Sequence, residues 1–273
     1  MPADLDLLSS IFNVEGVRVV VTGAGNGFGQ AISEVLARMG ARVTMLDINE
    51  LALQEAVEVL QKQDLDVHAD IADITDAAAI DRVIAAVARE QGGVDVVFAN
   101  AGGGSPASRV APEDSTVDRL PASAFKAGIE LNLRGAFNTM QAAARVMRPQ
   151  RSGRIIVTAS NAGLRPDLYA GFSYVAAKAG IINVVKQAAL DLARYDVQVN
   201  AIAPGPHKTN IGGEQGRSPE NVARWAATVP LGRMGETSEM WGLALFLASG
   251  ASSFVTGTVF VQDGGALALS QAM

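Results

Sequence analysis

The sequence of 273 residues contains no cysteine, which excludes disulfide bonds, thiolate metal sites and cysteine nucleophiles. It has no basic surplus, since its formal net charge is −6, and this disfavours nucleic acid as a partner. The N-terminal MPADLDLLSS lacks the basic segment of a secretory signal, and no apolar run is long enough to cross a bilayer. We therefore expect a cytoplasmic protein with no metal, membrane or nucleic-acid partner.

Aromatic residues are scarce, at 5%, whereas glycine is abundant, with 28 residues. This composition favours helices packed closely on a parallel sheet. Strands are predicted at 17–22, 42–46, 65–69, 94–99, 154–159, 197–202 and 258–261, and helices at 28–39, 50–62, 76–90, 132–147 and 174–194. Their alternation predicts one α/β domain over residues 1–273, with a doubly wound, mainly seven-stranded parallel sheet and helices on both faces.

Two long loops, at about 102–121 and 204–230, interrupt the alternation. Both follow the carboxyl ends of strands, where open α/β sheets bind ligands, so we expect them to contact a substrate. They are polar, rich in glycine and poor in aromatics, which favours a polar substrate such as a sugar, polyol or hydroxy acid. Arg109, Arg165, Arg217 and His207 are candidates for substrate recognition, although solvated arginines and loop histidines are commoner.

The segment TGAGNGFG (22–29) is a glycine-rich turn between the first predicted strand and helix. Glycines let the backbone turn tightly and approach a pyrophosphate at the helix N-terminus. Asp47, at the end of the second strand, can accept hydrogen bonds from ribose hydroxyls and would repel a 2′-phosphate. Ile48 follows it and Asn26 occupies the turn, so neither position supplies a basic group. This pattern favours NAD over NADP.

Tyr174 and Lys178 lie four residues apart in FSYVAAKAG (172–180), a segment with a helical pattern. On a helix they share one face. One interpretation is an amphipathic helix with an aromatic in the core and a lysine in water. The other is a phenol whose pKa is lowered by a neighbouring positive charge, ready to accept a proton from an alcohol.

The chain resembles the short-chain dehydrogenase/reductase family, in its compact single-domain branch, over essentially its whole length. The matching motifs follow the family's order: TGAGNGFG (22–29), ADIAD (69–73), ANAG (99–102), NLRG (132–135), SNAG (160–163), YVAAK (174–178), PGPHKT (204–209) and QDGG (262–265). One spacing departs from many members, because Ser160 lies fourteen residues before Tyr174. We place the extra residue in the loop 164–172.

The resemblance implies a Rossmann-type sheet and a homotetramer or homodimer. It implies catalysis by Asn132, Ser160, Tyr174 and Lys178, in which Tyr174 takes the alcohol proton, Ser160 orients the substrate oxygen and Asn132 positions a water beside Lys178. The cofactor is expected to be NAD. Its expected contacts are Gly23, Asn26, Gly27, Phe28, Gly29, Asp47, Ile48, Asp70, Ile71, Asn100, Ala101, Gly102, Tyr174, Lys178, Pro204, Gly205, His207 and Thr209.

Three functions are compatible with these residues. The first is an NAD-dependent dehydrogenase that interconverts a secondary alcohol and a ketone on a polar, small-molecule substrate. The second is a 3-oxoacyl-acyl-carrier-protein reductase, which usually takes NADPH and would need a basic residue near Asn26 or Ile48. The third is a catalytically inactive dinucleotide sensor, which would have no need of Ser160, Tyr174 and Lys178 together.

Overall fold

The computed structural model describes residues 5–104, 110–167, 170–209 and 218–269. Within these ranges, seven strands form one parallel sheet. They are β1 (Arg18–Thr22), β2 (Arg42–Asp47), β3 (Val67–Ile71), β4 (Val96–Ala99), β5 (Gly153–Thr158), β6 (Val197–Pro204) and β7 (Val259–Gln262). Their spatial order, β3-β2-β1-β4-β5-β6-β7, confirms the predicted doubly wound, Rossmann-type sheet.

Helices connect the strands and cover the sheet. They are α1 (Leu5–Ile11), α2 (Gly27–Arg38), α3 (Glu50–Gln61), α4 (Ala77–Gln91), α5 (Ala122–Ile129), α6 (Gly135–Gln150), α7 (Phe172–Leu192), α8 (Pro219–Ala226) and α9 (Trp241–Ala248). A π-helical turn, Glu130–Arg134, joins α5 to α6. None of the helices in the described ranges combines the length and the apolarity that a membrane crossing needs.

The sheet separates two apolar clusters. Successive residues of a strand point to opposite faces, and in β1 Val20 faces one cluster while Val19 and Val21 face the other. Side chains of α4, α6 and α7 fill the first cluster, and side chains of α2, α3 and α9 fill the second. Because both faces are covered, the central strands are almost entirely buried, as in β4, where all four residues are inaccessible.

Several predicted boundaries were wrong. The third strand begins two residues later than 65–69, because residues up to Asp64, which has a positive φ of 59°, complete the turn after α3. The predicted helix 132–147 is part of a longer helical stretch that the π turn interrupts. Three helices were missed: α1, α5 and α9. The sequence of α9 (WGLALFLA) is apolar all round and so shows no helical periodicity. An amphipathic piece at 220–227, predicted within the second loop, corresponds to α8.

The strand order reverses between β1 and β4. The chain builds outward from β1 to β3 and then returns to the other side of β1. At such a switch point the loops after the two strands diverge and leave a crevice at the carboxyl edge of the sheet, where nucleotides bind in this architecture. The glycine turn 22–29 and the ANAG segment 99–102 therefore come together at this edge.

Candidate active site

The glycine turn after β1 is shaped by two glycines with positive φ and by one close backbone approach. Gly23 has a φ of +67° and Gly27 a φ of +57°, a region that favours glycine. A Cβ atom on Gly29 would lie 2.1 Å from the main-chain oxygen of Gly23, so no side chain fits there. The turn thus leads directly into α2, with the free main-chain amides of the helix N-terminus at the crevice, as binding of a pyrophosphate requires.

The carboxylate of Asp47 lies beside this turn. Its Oδ2 accepts a hydrogen bond from the main-chain nitrogen of Gly25 at 3.0 Å, and its Oδ1 accepts one from Asn49 at 2.9 Å. The two bonds hold the acid at the end of β2 with a fixed orientation. The neighbouring Ile48 is 66% exposed and adds an apolar surface. Both residues lie where they were expected.

Asp70 and Ile71 lie at the end of β3, on the exposed edge of the sheet. Together with Ala69 they form one wall of a shallow groove whose other wall is α3, with Glu50, Leu53 and Gln54. A flat, partly apolar groove beside Asp47 is the kind of surface that accepts an adenine ring. The structure therefore brings these two predicted contacts to the same end of the crevice as the glycine turn.

Asn100 links the ends of three strands. Its main-chain nitrogen bonds the Thr22 hydroxyl at 3.0 Å, and its Nδ2 donates to the main-chain oxygens of Thr22 and Gly23, at 3.1 and 3.3 Å. Its Oδ1 accepts the hydroxyl of Thr158 at 2.9 Å. Thr22 also bonds the main-chain nitrogen of Ala101 at 3.1 Å. Asn100 thus fixes the floor of the crevice rather than pointing into it.

Lys178 is buried, with 3% of its surface accessible. Its Nζ donates to the main-chain oxygen of Thr158 at 2.7 Å and lies 5.5 Å from the centroid of the Tyr174 ring, so the predicted pair does share one helical face. Burial lowers the pKa of the Lys178 ammonium to about 8. The interpretation of this lysine as a solvated surface residue is therefore excluded.

Tyr174 differs from the expectation in its titration. Burial, the largest influence, raises the pKa of the phenol, a hydrogen bond with Ser160 acts to lower it, and the carboxylate of Asp167 raises it. The predicted lowering of the Tyr174 pKa is thus wrong for the protein chain without a cofactor. Desolvation of the phenolate raises this pKa more than the hydrogen bond with Ser160 lowers it. The contact between Tyr174 and Ser160 does place the two hydroxyls where one oxygen of a substrate could meet both.

Asn132 lies in the π turn, where it is 2% exposed. Its Oδ1 accepts the main-chain nitrogen of Gly103 at 2.8 Å, and its Nδ2 donates to the main-chain oxygens of Gly103 and Gly128, at 2.8 and 3.2 Å. A Cβ atom on Gly102 would lie 2.9 Å from Asn132 Oδ1 and 3.5 Å from Lys178 Nζ, so the three residues converge. The side-chain amide is fully used by the backbone, and a water held by Asn132 stays a prediction.

The segment after β6 closes the crevice opposite the glycine turn. Thr209 lies over Gly27, where an added Cβ atom would be 3.7 Å from the Cβ of Thr209. His207 packs edge to face on Phe28, with 5.0 Å between ring centroids, and its Nδ1 lies 3.0 Å from the main-chain oxygen of Gly205. Both rings are at most 9% exposed. The cofactor contacts of Phe28, His207 and Thr209 stay predictions, and the burial of the His207 ring disfavours its contact with a substrate.

The remaining predicted substrate residues fall differently. Arg109 and Arg217 lie outside the described residues, as do parts of the loops 102–121, 164–172 and 204–230. Arg165 donates from Nη1 to the main-chain oxygen of Ala266, so it ties the segment after Ser160 to the C-terminal turn.

Sequence reasoning overlooked Thr22 and Thr158. Both are the last residues of buried strands, and together they hold Asn100 and Lys178. A threonine immediately before the carboxyl edge of a parallel strand at the switch point was the available signal. Without the pairing of β1, β4 and β5, nothing in the sequence shows which side chains these threonines contact.

The arrangement fits a nicotinamide dinucleotide along one crevice. The glycine turn would hold the pyrophosphate, Asp47 the adenosine ribose, and Lys178 with the segment 204–209 the nicotinamide half. Ser160 and Tyr174 stand at the far end, where a substrate oxygen can accept or donate hydrogen bonds. Such a set can move a proton to or from an oxygen next to the carbon that exchanges a hydride.

The comparisons with known proteins agree with this geometry. A family model described as Enoyl-(Acyl carrier protein) reductase matches residues 23–266. The chain is 34% identical to the sorbitol dehydrogenase of Cereibacter sphaeroides, over 92% of this chain and 98% of the relative. It is also 34% identical to the 3-oxoacyl-[acyl-carrier-protein] reductase FabG of Thermotoga maritima, over 92% and 98% of the two chains.

A solved structure is similar over nearly the full length. The crystal structure of a short-chain type dehydrogenase/reductase from Mycobacterium marinum superposes with a TM-score of 0.87 at 32% identity, covering 95% of this chain and 98% of that one. With its fold, its crevice and its relatives in agreement, the chain belongs to the short-chain dehydrogenase/reductase family.

Proposed function

We propose that this oxidoreductase uses NAD to interconvert a secondary alcohol and a ketone on a polar, hydroxylated small molecule. The observation that carries the proposal is the convergence of Ser160, Tyr174 and Lys178 at the end of a crevice whose other end holds Asp47. The first three residues supply the chemistry at a carbon–oxygen bond. Asp47 supplies the preference among dinucleotides.

In the direction of oxidation, Tyr174 accepts the proton of the alcohol while Ser160 holds the alcohol oxygen. A bound oxidised nicotinamide supplies the hydride acceptor and adds a positive charge near the phenol. The Lys178 ammonium, hydrogen-bonded to the Thr158 carbonyl, acts on Tyr174 from the same helical face. In the direction of reduction, the raised pKa of Tyr174 keeps the phenol protonated at neutral pH, ready to donate to the ketone oxygen.

The preference for NAD rests on the fixed carboxylate of Asp47. Because it already accepts hydrogen bonds from Gly25 and Asn49, the side chain has little freedom to turn away from a ligand. A 2′-phosphate at this place would meet a second negative charge, which is strongly unfavourable. The hydroxyls of an unmodified ribose would instead find acceptors. Ile48, the next residue, offers no positive charge.

The polar substrate is supported by the composition of the loops and by the sorbitol dehydrogenase relative. The test is to measure NADH formation with two halves of a panel, one of polyols, aldonates and hydroxy acids and the other of apolar alcohols and steroids. We expect turnover in the polar half. Turnover confined to the apolar half contradicts the substrate proposal, and a higher kcat/KM with NADP contradicts the cofactor proposal.

A second candidate function is the NADPH-dependent reduction of a 3-oxoacyl group on a carrier protein. It is favoured by the Thermotoga maritima relative and by the description of the family model. The fixed acid at Asp47 weighs against it. Reduction of acetoacetyl-coenzyme A with NADPH, at a kcat/KM above that for every polar alcohol of the panel with NAD, would establish this function instead.

We also propose that the protein works in the cytoplasm as a homotetramer or homodimer. In its support, α7 is apolar on more than one side, with Ile181, Ile182 and Val185 in the core and Leu190 76% exposed. Exposed apolar side chains of this size suit contacts between subunits. Light scattering after size-exclusion chromatography tests the proposal, and a monomer at micromolar concentration contradicts it.

A further inference from the structure

Asn161 follows Ser160 directly and begins the short 3₁₀ turn Asn161–Gly163. The residue is 5% exposed. Its main-chain oxygen accepts hydrogen bonds from Leu164 and Arg165, at 2.9 and 3.3 Å. Its side-chain amide forms no hydrogen bond with any residue in the described part of the chain. Neither polar atom of this amide is among the fully buried side-chain atoms that lack a partner in the described residues, so the amide keeps an opening through which a ligand can reach it.

The other buried asparagines of the described chain show the contrast. Each of them donates to a main-chain oxygen at 3.2 Å or less: Asn132 to Gly103 and Gly128, Asn138 to Ile74, and Asn200 to Val255. Those three amides hold the fold together. The amide of Asn161 holds no other segment of the described chain, so the stability of the fold does not require it.

The position of the amide places it at the active site. A Cβ atom on Gly205 would lie 3.2 Å from Asn161 Nδ2, so the amide stands between the end of β5 and the segment that follows β6. Ser160, on the adjacent position, contacts the phenol of Tyr174. Catalytic hydroxyl and unpaired amide therefore project from neighbouring residues at the same edge of the sheet.

We propose that Asn161 is a substrate-binding residue that hydrogen-bonds a hydroxyl on the carbon next to the reacting carbon. The proposal rests on the proposed function, since it requires a polyhydroxylated substrate. Ser160 holds the reacting oxygen, and the side chain of the following residue reaches the adjoining substituent. An amide offers both a donor and an acceptor, and a hydroxyl uses both. Asn161 thereby selects vicinal diols and hydroxyketones over simple alcohols and ketones.

The test removes the Asn161 amide from the protein and, separately, the neighbouring hydroxyl from the substrate. Asn161→Leu removes the amide at similar volume, and cyclohexanol lacks one hydroxyl of trans-cyclohexane-1,2-diol. With NAD, the wild type should prefer the diol, and the variant should lose about 10- to 100-fold in kcat/KM for the diol with little change for cyclohexanol. The same loss for both alcohols overturns the proposal, as does a rise in the KM for NAD without selectivity.

Two further variants serve as controls, one for the general effect of losing a buried amide and one for the fit of the new side chain. Asn138→Leu removes a buried amide that is hydrogen-bonded to Ile74, far from Ser160, and should lower the thermal stability without changing the preference for the diol. Asn161→Ala only removes atoms and should reproduce the loss of selectivity if the leucine fits poorly. Asn161→Leu itself should keep the wild-type Tm, because no protein hydrogen bond is lost.

Failure of the proposed function is distinguishable from failure of this inference. If the wild type turns over no polar alcohol of the panel, the proposed substrate class is wrong. Calorimetric binding of trans-cyclohexane-1,2-diol and of cyclohexanol to the protein saturated with NADH then tests Asn161 alone. Tighter binding of the diol by wild type than by Asn161→Leu supports the contact, and equal dissociation constants overturn it.

Discussion

Lys178 lies one helical turn after Tyr174, with its ammonium nitrogen 5.5 Å from the centre of the tyrosine ring and 2.7 Å from the main-chain oxygen of Thr158. The carbonyl fixes the ammonium, and the helix fixes the phenol relative to it. Because both anchors belong to regular structure, the pair is preorganised before any ligand arrives. The charge of Lys178 is nevertheless held at a cost, since its pKa is lowered to about 8.

Replacing Tyr174 by phenylalanine should lower kcat/KM by about 10²- to 10⁴-fold, because the proton acceptor is lost while the ring and its packing stay. NADH binding, followed by fluorescence, should change little. Tyr195→Phe is the matched control, since that phenol bonds Arg148 just before β6, at the opposite edge of the sheet. Retention of activity by Tyr174→Phe would mean that another group transfers the proton.

The burial of Lys178 predicts a pH dependence of stability. Its pKa in the folded state, about 8, is below the unfolded value near 10.5, so between these values the unfolded chain binds more protons. Stability contributed by this residue should therefore rise with pH, by up to about 3 kcal/mol over the full window. Denaturant unfolding should show that, from about pH 7 to about pH 9.5, the free energy of unfolding of the wild type rises relative to that of Lys178→Met.

The measurement stops near pH 9.5 so that the ionisation of Tyr174 does not contribute. The raised pKa of Tyr174 lowers the stability only at a pH where tyrosines of the unfolded chain ionise, which is above about pH 10. A difference between wild type and Lys178→Met that does not vary with pH would show that the ammonium is solvated, against its observed burial. Activity of Lys178→Met should be lost throughout the range.

Asp47→Ser should shift the cofactor preference. Removing the carboxylate relieves the repulsion of a 2′-phosphate, so kcat/KM for NADP relative to NAD should rise by about 10-fold or more. Asp66→Asn serves as the control, because Asp66 precedes β3 at the other end of the sheet edge and pairs with Arg42. If the ratio of the two cofactors is the same in Asp47→Ser as in wild type, Asp47 does not contact the ribose.

Gly29→Ala should damage both folding and cofactor binding. The added methyl group would fall 2.1 Å from the Gly23 oxygen and 2.8 Å from Asn100 Nδ2, so the backbone of the turn must shift, at about 1–3 kcal/mol or more. Thermal unfolding and NADH fluorescence measure the two effects. Gly171→Ala, which meets no atom within 4 Å, should be neutral, and an equally neutral Gly29→Ala would contradict the close approach.

Local patterns predicted the elements that carry the site. The spacing of Tyr174 and Lys178 needs only one helix, and the glycine turn needs only one strand followed by one helix, so both are visible in short segments. The alternation of strands and helices then gives the parallel sheet. The right-handed crossover and the family resemblance predicted a doubly wound, Rossmann-type sheet, and the observed strand order confirms that architecture.

Contacts between distant segments were not predictable in the same way. Asn132 contacts Gly103, 29 residues away in the sequence, and Thr158 contacts Asn100, 58 residues away. The local sequence pattern around these residues does not indicate either contact. The pKa of Tyr174 was mispredicted for a related reason, since desolvation depends on everything packed around the phenol. That the amide of Asn161 has no partner among the described residues is visible only from the positions of those residues in the fold.

The π-helical turn Glu130–Arg134 lets one stretch of chain serve two neighbours, since α5 packs mainly on α7 while α6 packs mainly on α4. Deleting one residue of the turn would restore regular α-helical bonding but rotate α5 by about 100° relative to α6. We expect such a deletion to turn the packed face of α5 away from α7, and so to lower both the thermal stability and the activity. The packing of α5 on α7, as well as that of α6 on α4, therefore depends on this one irregular turn.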